Sequence, residues 1–173
     1  MGKIKPPEPS LLFIATLYTD SAIFENAETI LENTFGGILF ASQPFQWDYS
    51  SYYREELGWP IFRRFIFFKN IIDPCAITDI KLRTNEIEES LSLNGKRRIN
   101  LDPGYLTLSK IVLASTKNYA HRIYLGKGIY GEVTLIYKNN TYSPHLFTYR
   151  DYQDKISIDI FLNMRDSLKK MIA

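Results

Sequence analysis

The sequence predicts an α+β fold, one mixed, largely antiparallel β-sheet packed by two or three helices, and three observations carry that expectation. An apolar run, an amphipathic charged stretch and a second apolar run succeed one another over residues 11–41, which is a β-α-β opening. Two strand-like segments joined at Gly126-Lys127-Gly128 and closed by Asn139-Asn140 form a β-meander. An amphipathic stretch from Ile156 to Ile172 then ends the chain as a helix. The length of 173 residues suits one domain, so the chain is divided into a flexible arm over residues 1–10 and a single domain over 11–173.

Taken in order, Leu11 to Tyr18 is a continuous apolar run with prolines before it and Thr19-Asp20-Ser21 after it, as in a buried strand. Asp20 or Ser21 caps a helix whose apolar face is Ile23, Ala27, Ile30 and Leu31, and Gly36-Gly37 stops it. Ile38 to Ala41 is the next strand. Gln43 to Pro60 is an irregular aromatic excursion with one short helical turn, because so many rings cannot all remain in water. Arg63 to Ile71 returns to strand. Asp73-Pro74 starts a helix with the acid as cap and proline in the first turn, and Ile77, Ile80, Thr84, Ile87 and Leu91 trace its stripe. Asn94-Gly95 fits either a helix end or a type I′ hairpin, and the hairpin is preferred. Asp102-Pro103-Gly104 reads as a turn. The segment 106–115 is open between strand and short helix, with Ile111 and Val112 tilting it toward strand. His121 to Leu125 and Ile129 to Lys138 are the strands of the meander, and the terminal helix presents Ile160, Met164, Leu168 and Met171 on one side.

Composition removes several classes of function. Lys and Arg nearly balance Asp and Glu, for a net charge of +2, so no global field calls for a polyanionic partner. One cysteine, Cys75, and two histidines exclude a disulfide framework and argue against a metal centre, and the lone thiol fits a reducing, cytoplasmic setting. No apolar run approaches the roughly 20 residues of a membrane-spanning helix. The N-terminus carries lysines and prolines but no signal-like apolar core.

Gly126-Lys-Gly-Ile-Tyr-Gly-Glu-Val133 matches the G-x-G-x-x-G-x-V loop that kinases fold over ATP. No strand lysine, catalytic aspartate motif or DFG segment follows it. A dinucleotide loop must open a helix, whereas Val133 to Tyr137 is strand-like, so the glycines are assigned to a tight hairpin. No P-loop sequence occurs, and no motif specifies a cofactor.

The richer constellation runs from Arg97 to Glu132. Arg97, Lys117 and Arg122 are candidates for neutralising an anionic ligand, Asn100, Tyr105 and Tyr124 for orienting or stacking on it, and His121, Asp102 and Glu132 for acid-base work. Strand alternation puts Asn100 and Asp102 on one side, and sets His121 with Ile123 opposite Arg122 with Tyr124. Each has a bland alternative: Arg97 and Arg98 as solvated hairpin charges, His121 as a structural histidine, Asp102 as a turn cap. Glu132 among Tyr130, Val133 and Leu135 is harder to dismiss, because a strand carboxylate there needs water or a cation such as Arg122 or Lys117. Thr148-Tyr149-Arg150-Asp151-Tyr152 either closes over a pocket or pins the last helix, and pinning is favoured.

Asn100-Leu-Asp-Pro-Gly-Tyr105, Ala120-His-Arg-Ile-Tyr-Leu125, Gly128-Ile-Tyr-Gly-Glu-Val-Thr-Leu135 and Thr148-Tyr-Arg-Asp-Tyr152 together resemble a prokaryotic family numbered 4416 among the domains of unknown function. The resemblance spans nearly the whole chain. It implies a stand-alone domain with a small residue at position 131, glycine here, and implies no activity. A GTP-binding label sometimes attached to members is not carried over, for want of a P-loop.

Three functions follow as expectations. The first is a polar pocket for an anionic, phosphate-bearing small molecule or nucleotide, with or without catalysis. A nucleic-acid module, for RNA in particular, is the second, gripping a phosphate backbone with the same arginines and stacking bases on exposed rings. The third makes the aromatic segment 45–59 a protein interface in a homodimer. The first requires the nine candidate side chains to line one concavity.

Overall fold

A computed structural model describes residues 2–173; Met1 of the N-terminal arm lies outside the described residues. Residues 2–9 carry no helix or strand and are exposed. Ser10, assigned by sequence to that arm, is already in β1 (Ser10–Tyr18) and buried. There follow α1 (Ser21–Phe35), β2 (Ile38–Ala41), β3 (Phe45–Trp47), α2 (Ser51–Leu57) and β4 (Ile61–Ile72). A 3-10 turn at Pro74–Ala76 leads into α3 (Ile77–Ser90), then β5 (Ile99–Leu106), β6 (Lys110–Ser115), β7 (Ile123–Gly126), β8 (Ile129–Lys138) and β9 (Thr141–Ser143). The chain closes with α4 (Arg150–Gln153) and α5 (Lys155–Met171).

The fold is α+β, a single sheet in the order β2-β4-β1-β5-β6-β8-β7, with β3 added beside β4 and β9 beside β8. Every ladder is antiparallel. The opening β-α-β unit is split: β1 and β2 run in the same direction, but β4 lies between them.

β1 reads as unbroken apolar sequence because it is buried on both faces. Leu12, Ile14 and Tyr18 pack with α1 and α3, whereas Leu11, Phe13 and Ala15 pack with α5. The two helix starts behave as their caps dictate, Asp20 accepting from the Ala22 amide at 2.9 Å and Asp73 from the Cys75 amide at 2.8 Å. In α5 the buried stripe is Ser157, Phe161, Met164 and Leu168. Ile160 packs half-buried against the same cluster, whereas Met171 is exposed, which corrects one of the four residues assigned to this face.

Asn94-Gly95 is the centre of a two-residue turn and not the helix end. α3 runs to Ser90, and Leu93 then pairs with Lys96 across a two-residue turn with φ of 51° at Asn94 and 72° at Gly95. The flanks are not strands. Gly126-Lys127-Gly128 is a tight turn with positive φ at all three residues, so the kinase-like glycines serve a hairpin between β7 and β8.

Asp102-Pro103-Gly104 is not a turn: all three residues lie inside β5, paired with Ala15, Ile14 and Phe13 of β1. Gly104 is required by crowding, since a Cβ there would lie 2.5 Å from the Phe13 ring and 2.6 Å from the Val112 carbonyl oxygen. Pro103 marks where β6 leaves. The β5–β6 ladder covers only Gly104 to Leu106, and Pro103 has no N–H with which to extend it. Because the Val112 oxygen belongs to a central strand and cannot retreat, Gly104→Ala is expected to cost at least ~1–3 kcal/mol, measured as a lower urea midpoint at unchanged m.

Candidate functional site

Where β5 and β6 part, a hollow of about 160 Å³ opens among side chains from distant segments. Its wall includes six of the nine residues singled out by sequence: Arg97, Asn100, Asp102, Lys117, Arg122 and Glu132. Tyr105 and His121 do not share it. They line a second, mainly apolar trough, and Glu132 borders both hollows. Tyr124 borders neither; it is exposed and packs on Tyr130.

The displacement of His121 and Tyr124 has a local cause. β7 begins at Ile123, so His121 and Arg122 belong to the preceding turn, closed by the Arg122 amide donating to the Tyr119 carbonyl at 2.9 Å. Strand alternation does not govern a turn. Both side chains reach the same atom, Oε2 of Glu132, His121 Nε2 at 2.9 Å and Arg122 Nε at 2.6 Å. Arg122 also donates to Ser115 Oγ and the Lys117 carbonyl, each at 2.9 Å, and to the Tyr149 hydroxyl at 2.6 Å. Glu132 therefore has the cationic partner that its strand position demands.

On the other side, Arg97 makes a two-pronged contact with Glu56, Nε to Oε1 at 2.8 Å and Nη2 to Oε2 at 2.6 Å. Its Nη1 donates to Glu88 at 3.1 Å and to Asn100 Oδ1 at 2.9 Å. Asn100 in turn donates to Asp102 Oδ2 at 2.6 Å. Lys81, from α3, completes the chain by donating to Asp102 Oδ1 at 3.2 Å and the Leu101 carbonyl at 3.0 Å. Arg97 is therefore not a solvated hairpin charge, whereas Lys96 is exposed and Arg98, paired with Asp20 at 3.0 Å, keeps 38% of its side-chain surface. At the floor, Arg63 pairs with Asp151 at 2.6 Å, and the Trp47 indole donates to the same carboxylate oxygen at 3.0 Å. Nε and Nη1 of Arg63 and the Tyr152 hydroxyl are buried and have no hydrogen-bond partner among the described residues.

Burial disfavours the Asp102 charge, but Lys81, the Asn100 amide and Arg63 outweigh it and hold the carboxyl below its ordinary 3.8. The side chain nevertheless keeps 34% of its surface, at the hollow. A depressed folded-state pKa contributes stability above 3.8 that fades as pH falls through the lower folded value. Asp102→Asn is accordingly expected to flatten the acid limb of a urea-midpoint titration below about pH 4. Glu88 runs the other way, its carboxyl pushed up by burial against the pull of Lys81, the Leu101 amide and Arg97. Burial likewise lifts the Tyr53 and Tyr149 hydroxyls above the ordinary tyrosine range, so both remain protonated donors near neutrality.

The Thr148–Tyr152 cluster does both things the sequence offered for it, since Tyr149, Asp151 and Tyr152 line the hollow and the Asp151 carbonyl accepts from Ser157 of α5 at 2.6 Å. Sequence reading missed Arg63, Lys81 and Glu88. A signal existed for all three. Arg63 shares a strand face with Phe65 and Phe67, and Lys81 and Glu88 fall on the α3 stripe beside Ile77, Ile80, Thr84 and Ile87. A charge on an apolar face needs a partner, which is the argument that singled out Glu132.

These observations define a class, an α+β domain of one antiparallel sheet with an ion-paired polar hollow where two central strands separate. The chain belongs to the family described as Domain of unknown function (DUF4416), which it matches over residues 8–168, nearly its whole length. No curated protein and no solved structure matches it. No helix among the described residues is long and apolar enough to cross a membrane.

Proposed function

We propose that the hollow between β5 and β6 binds a small anion that also carries hydroxyl or amino donors, such as a phosphorylated or carboxylated metabolite. The observation that carries this reading is the Arg63 guanidinium at the hollow's floor, buried, with two of its three nitrogens unpartnered. Buried donors without acceptors are costly, and an anionic ligand supplies acceptors. Lys117, above the Tyr52 ring at 5.2 Å, adds a cation with no ion-pair partner among the described residues. Asp102 sets the second requirement, because an ionised carboxylate at the same wall favours a ligand that brings N–H or O–H donors to it.

Size narrows the class. At about 160 Å³ the hollow is close to the roughly 150 Å³ cavity that holds benzene and below the ~300–1,000 Å³ of drug-sized pockets, which favours a small metabolite over a whole nucleotide. A nucleic-acid backbone needs an open basic stripe, whereas Arg63, Lys81, Arg97 and Arg122 here are each paired with a carboxylate. Of the three acid-base candidates, Glu132 is committed to Arg122 and His121 lies on the trough, and Asp102, ionised and held by Lys81 and Asn100, serves as an acceptor for a ligand N–H or O–H and not as a base. A reducing cytoplasm is part of the proposal, in keeping with one exposed cysteine.

The test is a thermal-shift series with inorganic phosphate, glycerol phosphate, sugar phosphates and amino acids, on the wild type, Lys117→Ala and Asp102→Asn. A ligand at about 100 times its Kd adds ~2.7 kcal/mol and raises Tm by several degrees. The shift should shrink in both variants. A panel without any shift, or a shift that both variants retain, would overturn the reading.

A further inference from the structure

The trough that receives Tyr105 and His121 is a separate feature with its own chemistry. α1 and α3 pack on one face of the sheet, and beyond α3 that face continues to Ile123, Val133 and Ile136, which stand open to solvent. Ile123 is 73% exposed, an unusual position for a β-branched aliphatic residue that merely completes a sheet edge. The start of α3 forms one bank, through Ile77 and Thr78, and Phe147 the other, stacked on His121 at 4.5 Å with the ring planes 5° apart. The open trough has a volume of about 640 Å³, within the ~300–1,000 Å³ range of small-molecule sites.

We propose that this trough binds an amphipathic carboxylic acid, its hydrocarbon body against Val112, Ile123, Val133 and Ile136 and its carboxylate on the Lys110 ammonium. Lys110 is a half-buried strand residue on the trough wall and forms no ion pair among the described residues. An ammonium set on an apolar face calls for a counter-ion. The one carboxylate bordering the trough, Glu132, is already bonded to Arg122 and His121, so it neither serves Lys110 nor strongly repels an incoming anion. The apolar walls account for the body of the ligand and the single free cation for its head group.

A two-fold dimer through the same face fits less well. It would bring two Lys110 ammonium groups into one apolar interface without a carboxylate to receive them. The proposal is independent of the anion hollow, because neither Lys110 nor Ile136 lines it.

Calorimetric titration with decanoate, and with decanol as the uncharged control, tests the inference on the wild type, Lys110→Met and Ile136→Glu. Both substitutions fall at partly solvent-accessible positions, and circular dichroism checks that each variant is folded. Wild type should bind decanoate saturably and more tightly than decanol. Lys110→Met should weaken decanoate about tenfold or more while leaving decanol unchanged, and Ile136→Glu should weaken both. Absence of saturable binding, equal affinity for acid and alcohol, or indifference to Ile136→Glu would each overturn the proposal. So would sedimentation showing a wild-type dimer that Ile136→Glu dissociates, since the face would then be occupied by a second copy.

Discussion

Phe161→Ala should lower the unfolding free energy by ~3–5 kcal/mol, the largest loss expected from any single side chain of the α5 face. Phe161 is fully buried and stands at the centre of an aromatic cluster, its ring centroid 5.1 Å from Phe13, 5.0 Å from Phe65 and 5.8 Å from both Phe67 and Tyr152. These rings come from β1, β4 and α4, so the residue joins the terminal helix to the two central strands. Truncation removes apolar area and leaves a cavity that neighbouring rings, already edge-to-face with one another, cannot collapse to fill. For a chain of this length the loss corresponds to a fall in Tm of roughly 6–20 °C. Thermal and urea unfolding should agree on it. Phe161→Leu keeps most of the volume and should fall between the two, whereas a wild-type Tm in Phe161→Ala would mean that α5 is not docked on the sheet.

Asp151→Asn should be nearly as damaging, at ~3–5 kcal/mol, because it strands a buried charge. The Arg63 and Asp151 side chains retain only 5% and 4% of their surface, and among the described residues no second carboxylate is within ion-pair distance of Arg63. Asparagine still offers an oxygen to the Trp47 indole, so the loss reports on the missing charge and not on the missing acceptor. Removing both charges separates these effects. In Arg63→Met/Asp151→Asn no unpaired ion is left, and stability should recover well above that of Asp151→Asn alone. A double variant no more stable than the single one would mean that packing around Arg63, and not its charge, dominates. The same double variant removes the Arg63 guanidinium from the lining of the hollow, so any ligand-induced shift that rests on the proposed anion site should vanish while the fold is retained.

Much of the architecture was legible because local chemistry and tertiary demand coincide. β1 is apolar at most of its buried positions on both faces, α1 has Asp20 at one end and Gly36 at the other, and the β7–β8 turn has glycines where φ is positive. Asp102-Pro103-Gly104 was misread because its residues have a non-local purpose. Gly104 makes room for a ring of β1 and Pro103 coincides with the end of the ladder to β6, and neither fact is visible in a window of a few residues.

By itself, the sequence determined the α+β class, the order of most elements outside β3, β5 and α4, and six of the side chains around the hollow, because periodicity, caps and turn residues act over short range. Only the tertiary structure decided the partners. It brought Arg63 to Asp151 and Lys81 to Asp102, drew His121 and Arg122 onto one oxygen of Glu132, and sent Tyr105 to a different cavity. Which charges meet depends on strand order and on where two neighbouring strands stop pairing, and long-range contacts of that kind leave no periodic trace along the chain.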